Sequence, residues 1–169
     1  MAFDKLQDRV LMRLSTTGKA EFRFWLTRRY IKRLWEVLLK MIERDPATAQ
    51  YLDESLRRAM MEFQHENMVR GGEFSKQFEE GAGSMPLGDT PVLLSRITAK
   101  QNSDASQVLC MHPEQGQGID LAVNTQLLHM ISKLISDAVA QSDWDLPLAI
   151  DPRMAATPAA QAVPPHKLN

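Results

Sequence analysis

Four cations stand within six consecutive residues: Arg28, Arg29, Lys32 and Arg33. They open a helix, where positive charge opposes the macrodipole at a cost of about 0.3–1 kcal/mol per exposed cation. A cost that stability alone does not favour invites a functional reading. A helix start carrying four cations suits phosphate, nucleic acid or an acidic protein. The competing reading is that acids such as Glu79, Glu80 or Asp120 neutralise the cluster within the fold.

Cys110, His112 and His129 are the soft-ligand candidates that fall near each other in sequence. Cys110 and His112 alternate onto one strand face, so a metal or a thiol–imidazole pair has two groups there. Structural zinc takes four ligands, usually in tighter paired spacing. His65 adds one more scattered position. No metal and no cofactor are therefore expected, and Cys110 reads as a small buried hydrophobe.

Trp25 alternates onto the face opposite Phe22 and Phe24, together with Glu21 and Arg23. Leu11 lies on the matching outer face of the preceding strand. An outward Trp25–Leu11 pair suits a contact with a partner or with a second copy. A long helix or a Gly-rich loop covering that face is the competing reading.

Other short motifs carry no chemistry. Thr17-Gly18-Lys19 lacks the upstream glycine of a phosphate loop and lies in a hairpin. Gly81-Ala82-Gly83 follows no strand, so it makes no dinucleotide fingerprint. Glu79-Glu80 has no neighbour that would tune a carboxyl for acid–base work. No catalytic constellation is legible, and the reading leans away from an enzyme. An enzyme with a site assembled from dispersed residues stays the last of the alternatives.

The elements that must position these residues follow from hydrophobic period. Val10, Met12 and Leu14 alternate, and so do Phe22, Phe24 and Leu26. The stretch Ser15–Lys19 between them reads as a hairpin turn with Gly18 free for a positive φ. Thr27 is an N-cap for a helix from Arg28 to about Arg44, with Ile31, Leu34, Trp35, Leu38, Met41 and Ile42 on one face. Asp45-Pro46 ends it. A second helix is expected from about Thr48 to Met68, with Leu52, Leu56, Ala59 and Phe63 as a narrow apolar stripe. Asp53 with Arg57 and Glu54 with Arg58 support its exposed side. Residues 68–90 read as a flexible Gly-rich loop, with one helical turn around Phe74 to Phe78.

Val92–Thr98 and Gln107–His112 are β-rich. Ile119, Leu121 and Val123 alternate, and Asn124 caps a helix from Thr125 to about Ser142. Residues 1–150 form one α+β domain, and the Pro/Ala-rich stretch 151–169 is expected to be disordered. The two hairpin–helix units repeat: Phe22, Phe24, Leu26 and Thr27 match Ile119, Leu121, Val123 and Asn124 at a constant offset. Val10 is matched to Val108 with a one-residue change in the turn. The fold class expected is α+β, with two ββα units sharing an antiparallel sheet and a long helix between them.

Composition bounds the rest. The chain has 169 residues, 20 Lys+Arg against 21 Asp+Glu, and one cysteine. Near-neutral charge argues against a globally basic nucleic-acid binder, though not against a local patch. A lone cysteine excludes an intrachain disulfide and fits a reducing, cytoplasmic setting. Charges interrupt the N-terminus, so no cleaved secretory signal and no membrane span are expected. The function expected is a protein-interaction or scaffold module, homo-oligomeric or bound to another protein. Nucleic-acid or phosphate binding through the basic helix start is the alternative.

Overall fold

The first strand, β1 (Ala2–Asp4), is one that sequence period does not announce, because three residues carry no alternation. It pairs antiparallel with β2 (Arg9–Ser15), which pairs antiparallel with β3 (Glu21–Leu26). In the turn between β2 and β3 it is Lys19, not Gly18, that takes the left-handed backbone, with φ 61°. Helix α1 (Arg28–Glu43) follows β3 directly, and the Thr27 hydroxyl accepts from the Tyr30 amide as its N-cap. The helix buries Tyr30, Ile31, Leu34, Trp35, Leu38, Met41 and Ile42, the stripe that its period predicts.

The expected second helix is two. Asp45 caps a short α2 (Pro46–Ala49), and Asp53 caps α3 (Glu54–Arg70). The computed structural model describes residues 1–72, 83–102 and 106–150. The helical turn around Phe74 to Phe78, most of the 68–90 loop and the 151–169 tail lie outside the described residues. Of that loop, residues 68–70 belong to α3, and Ser84 forms a parallel bridge with Ala20.

Strand β4 (Val92–Leu93) lies parallel to β3 and completes a four-stranded sheet ordered β1-β2-β3-β4. Two residues later the same extended segment becomes β5 (Arg96–Gln101). With β6 (Gln107–His112) and β7 (Ile119–Val123) it forms a second, antiparallel sheet ordered β5-β6-β7. Helix α4 (Thr125–Val139) leaves β7 with the Asn124 side chain accepting from the Leu127 amide. The fold is α+β. The two units do not lie in a single antiparallel sheet: each has its own, and the chain from Val92 to Gln101 joins them.

The two units share strand order, cap position and pairing register. Val10 pairs with Leu26, and 97 residues later Gln107 pairs with Val123. The counterpart of Val10 is thus Gln107, not Val108, and the hairpin carries no one-residue change. Gln107 is buried and donates from Nε2 to the Met41 carbonyl at 3.0 Å, so a polar residue fills a core position by satisfying the end of α1. Helices α1 and α4 pack together, α1 also reaches β5, and α4 reaches β1. One apolar cluster runs through both units.

Candidate functional site

Arg28, Arg29, Lys32 and Arg33 are all exposed on the first two turns of α1. None is in an ion pair among the described residues. Asp120, one of the acids that could have neutralised them, is engaged elsewhere; Glu79 and Glu80 lie outside the described residues. Arg29 and Arg33 border a crevice of about 80 Å³, whose other walls are Thr27, Tyr30, Leu93, Leu94 and Ser95. Burial pushes the Tyr30 phenol up, and its hydroxyl donates to the Arg96 carbonyl at 3.4 Å. The tyrosine therefore stays a neutral anchor under the cationic turn.

On the outer face of the first sheet, register places Leu11 opposite Trp25 and Trp25 beside Leu93. Leu11 and Trp25 are half-buried, and Leu93 is 44 % exposed. On the same face Glu21 is buried, and its Oε1 accepts from Arg13 Nε at 2.9 Å and Arg23 Nε at 2.7 Å. Those two hydrogen bonds hold its carboxyl below the usual range. This face carries the expected apolar pair with an ion cluster beside it.

Cys110, His112 and His129 do not come together. Cys110 and His112 share the outer face of the second sheet, where Asp120 is the cross-strand neighbour of Cys110. Asp120 accepts from or shares a proton with His112 Nε2 at 2.7 Å, and its other oxygen lies 3.5 Å from Lys100 Nζ. The His112 hydrogen bond leads in lowering the Asp120 carboxyl, with Cys110 and Lys100 behind it. Burial, reinforced by Asp120, pushes the Cys110 thiol up. A raised thiol that points its proton at a carboxylate is a poor nucleophile. Among the described residues no group of three or more His, Cys, Asp or Glu side chains is arranged to hold a metal.

His129 lies instead between helices. Its Nδ1 is 3.1 Å from His65 Nδ1, joining α4 to α3. His129 is fully buried, and its Nε2 has no hydrogen-bond partner among the described residues. Burial, then the neighbouring His65, lowers its pKa to about 4. Burial also lowers His65. Sequence offers no signal for this pair, because 64 positions separate two histidines on different helices.

Helix α3 is turned over relative to expectation. Leu52, Leu56 and Phe63 are 92 %, 49 % and 59 % exposed, and Ala59 is exposed with them. The buried residue is Met61. Polar side chains do the seating. Thr48 Oγ1 donates to Gln64 Oε1 at 3.0 Å, and Gln64 Nε2 donates to the Ala47 carbonyl. Arg57 does not pair with Asp53; its Nε donates to the Tyr51 carbonyl at 2.9 Å. Glu54 and Arg58 do form their expected ion pair.

Comparison with protein families, curated proteins and solved structures returns no match for this chain. No helix among the described residues is long and apolar enough to cross a membrane.

Proposed function

We propose that this protein is a non-enzymatic interaction module, homodimeric in solution, with the outer face of α3 as its contact surface. The observation that carries the reading is the inversion of α3. A helix ordinarily turns its apolar stripe to the core; this one turns Leu56, Ala59 and Phe63 to solvent, with Leu52 exposed just before its cap, and is held by Met61 and side-chain hydrogen bonds. The 3-4 spacing of Leu56, Ala59 and Phe63 is that of a two-helix seam. Charge is compatible with an antiparallel mate: Asp53 and Glu54, the latter paired with Arg58, stand at one end of α3, and Arg70, paired with Glu66, at the other. Two antiparallel copies set Arg70 of each near Asp53 of the other, and Arg57 and Arg58 near Glu62 and Glu66.

Sedimentation velocity over a concentration series tests this. The expected result is a mass rising toward twice 19.1 kDa. Phe63→Glu should hold the chain monomeric with an unchanged melting curve. A chain that stays monomeric at every concentration, with Phe63→Glu indistinguishable from it, removes the reading.

A second reading rests on the cations of α1. Four exposed positive groups with no ion pair among the described residues suit a nucleic-acid or phosphate ligand. Reversal of Arg29 and Arg33 to Glu should abolish salt-dependent binding of a fluorescent oligonucleotide. Equal affinity in the reversed protein would eliminate this alternative.

A further inference from the structure

The two sheets differ at one edge. In the first, the far side of β3 is occupied: Val92 lies beside Phe24 and Leu93 beside Trp25, in parallel. The Leu94 amide donates to the Trp25 carbonyl at 3.1 Å. In the second, β7 holds the corresponding place and ends the sheet, with no strand beyond it among the described residues.

Backbone parity says which groups that edge offers. The Asn102 amide donates to the Ser106 carbonyl at 2.9 Å. Stepping by two along the β5–β6 register, Val108, Cys110 and His112 turn their amides and carbonyls toward β5. Gln107, Leu109 and Met111 therefore serve β7, through Val123, Leu121 and Ile119. Asp120 and Ala122 are left with N–H and C=O pointing outward. Ala122 stands 97 residues after Trp25, the residue that binds β4.

Side chains agree with the backbone. Phe24, flanked by Val92, is fully buried. Leu121, its counterpart, is only half-buried, so an apolar ledge lies along the open edge. The strand is thinly defended as an edge, since Ile119–Val123 contains neither proline nor lysine. Its one charge is Asp120, on the outer face.

We infer that the free edge of β7 is a strand-accepting site, which takes an extended peptide in parallel as β3 takes β4. Ala122 supplies the backbone donor and acceptor. The peptide places a branched aliphatic residue beside Leu121. The residue before it lies beside Asp120, whose two carboxylate oxygens are already taken up by His112 and Lys100, so the edge sets no charge preference there. This is addition of a strand to a sheet, and it is independent of any contact made by α3.

The probe is a blocked heptapeptide with the sequence of residues 90–96, titrated into the isotope-labelled full chain and followed by amide resonances. Saturable shifts are expected at Asp120 and Ala122, with slowed exchange of the Ala122 amide. Methylating the peptide amide that corresponds to Leu94 should abolish binding without any change to the protein. Ala122→Pro should also abolish it while sparing the ladder to β6, because that N–H faces away. Absence of saturable shifts overturns the inference. So do shifts centred on Phe24 and Trp25, which would mean displacement of β4. Undiminished binding of the methylated peptide does the same.

Discussion

His129 carries a testable pH dependence. Its ring is buried against His65, with Asp45 favouring the charged form, Lys133 and Glu66 acting in opposite senses on His65, and burial outweighing them all. The folded pKa is depressed, so the folded state prefers the neutral ring. Stability from this source is complete above pH 6.5 and is lost as pH falls toward 4. The depression corresponds to roughly 3 kcal/mol, shared between two rings in contact. Urea midpoints at about pH 7.5 and about pH 4.5 should differ by an amount that His129→Leu largely removes. An undiminished difference in the variant would place the acid sensitivity elsewhere. Gly118 offers a second test at this scale. A Cβ there would overlap the Met111 carbonyl oxygen and crowd the His112 backbone. Gly118→Ala should cost on the order of 2–3 kcal/mol in chemical denaturation; a neutral result would mean that the loop before β7 can shift. Neither site is legible from one residue's neighbours in sequence. What was legible was the shared face of Cys110 and His112, because alternation fixes it, but not Asp120, which arrives from the next strand.

Among the elements, α1 and α3 show where hydrophobic period informs and where it stops. Period states which residues share a face. In α1 only one face is apolar, so the buried face follows. In α3 the stripe loses Leu52, which precedes the cap, and Leu56, Ala59 and Phe63 remain, but the opposite face has Met61 and hydrogen-bonding side chains with partners in α2 and α4. The direction of the helix was settled by those partners, which no local pattern contains. Register failed for a related reason. Apolarity alone matches Val108 to Val10, while the pairing matches Gln107. A prediction follows for that strand: Gln107→Val makes β6 resemble β2 but strands the Met41 carbonyl in the core. A loss of about 1–2 kcal/mol is expected from the unsatisfied acceptor. Thermal melting would reveal it, and an increase in stability would show that apolar packing outweighs the lost bond.

At the scale of the whole molecule the two units are cross-braced. Helix α1 reaches β5, α4 reaches β1, and the helices meet between them. The chain after α4 adds a further tie. Trp144 is buried, its indole N–H donates to Asp8 and its ring meets Phe3 edge-on, with centroids 5.3 Å apart. The Trp35 indole N–H donates to the Ala149 carbonyl at 3.3 Å. Equilibrium unfolding should therefore be a single transition, with tryptophan fluorescence and far-ultraviolet dichroism superimposing. Trp144→Ala should lower stability by about 3–5 kcal/mol and still unfold in one step. Two separated transitions would mean that the units melt independently. Sequence revealed both hairpin–helix units and their caps. It did not reveal the cross-bracing, which depends on contacts between elements far apart along the chain.

The short passage from β4 to β5 has a consequence for how the chain avoids misfolding. Only Leu94 and Ser95 separate the pairing of one sheet from that of the other. Across them the phase shifts by one, from Val92 and Leu94 inward beside β3 to Ile97 and Ala99 inward in β5, with Thr98 and Lys100 outward. A slip of one residue at β4 would turn Lys100 toward the apolar interior, so a small error in one sheet is penalised in the other. The segment acts as a gauge that lets each half of the molecule proofread its neighbour.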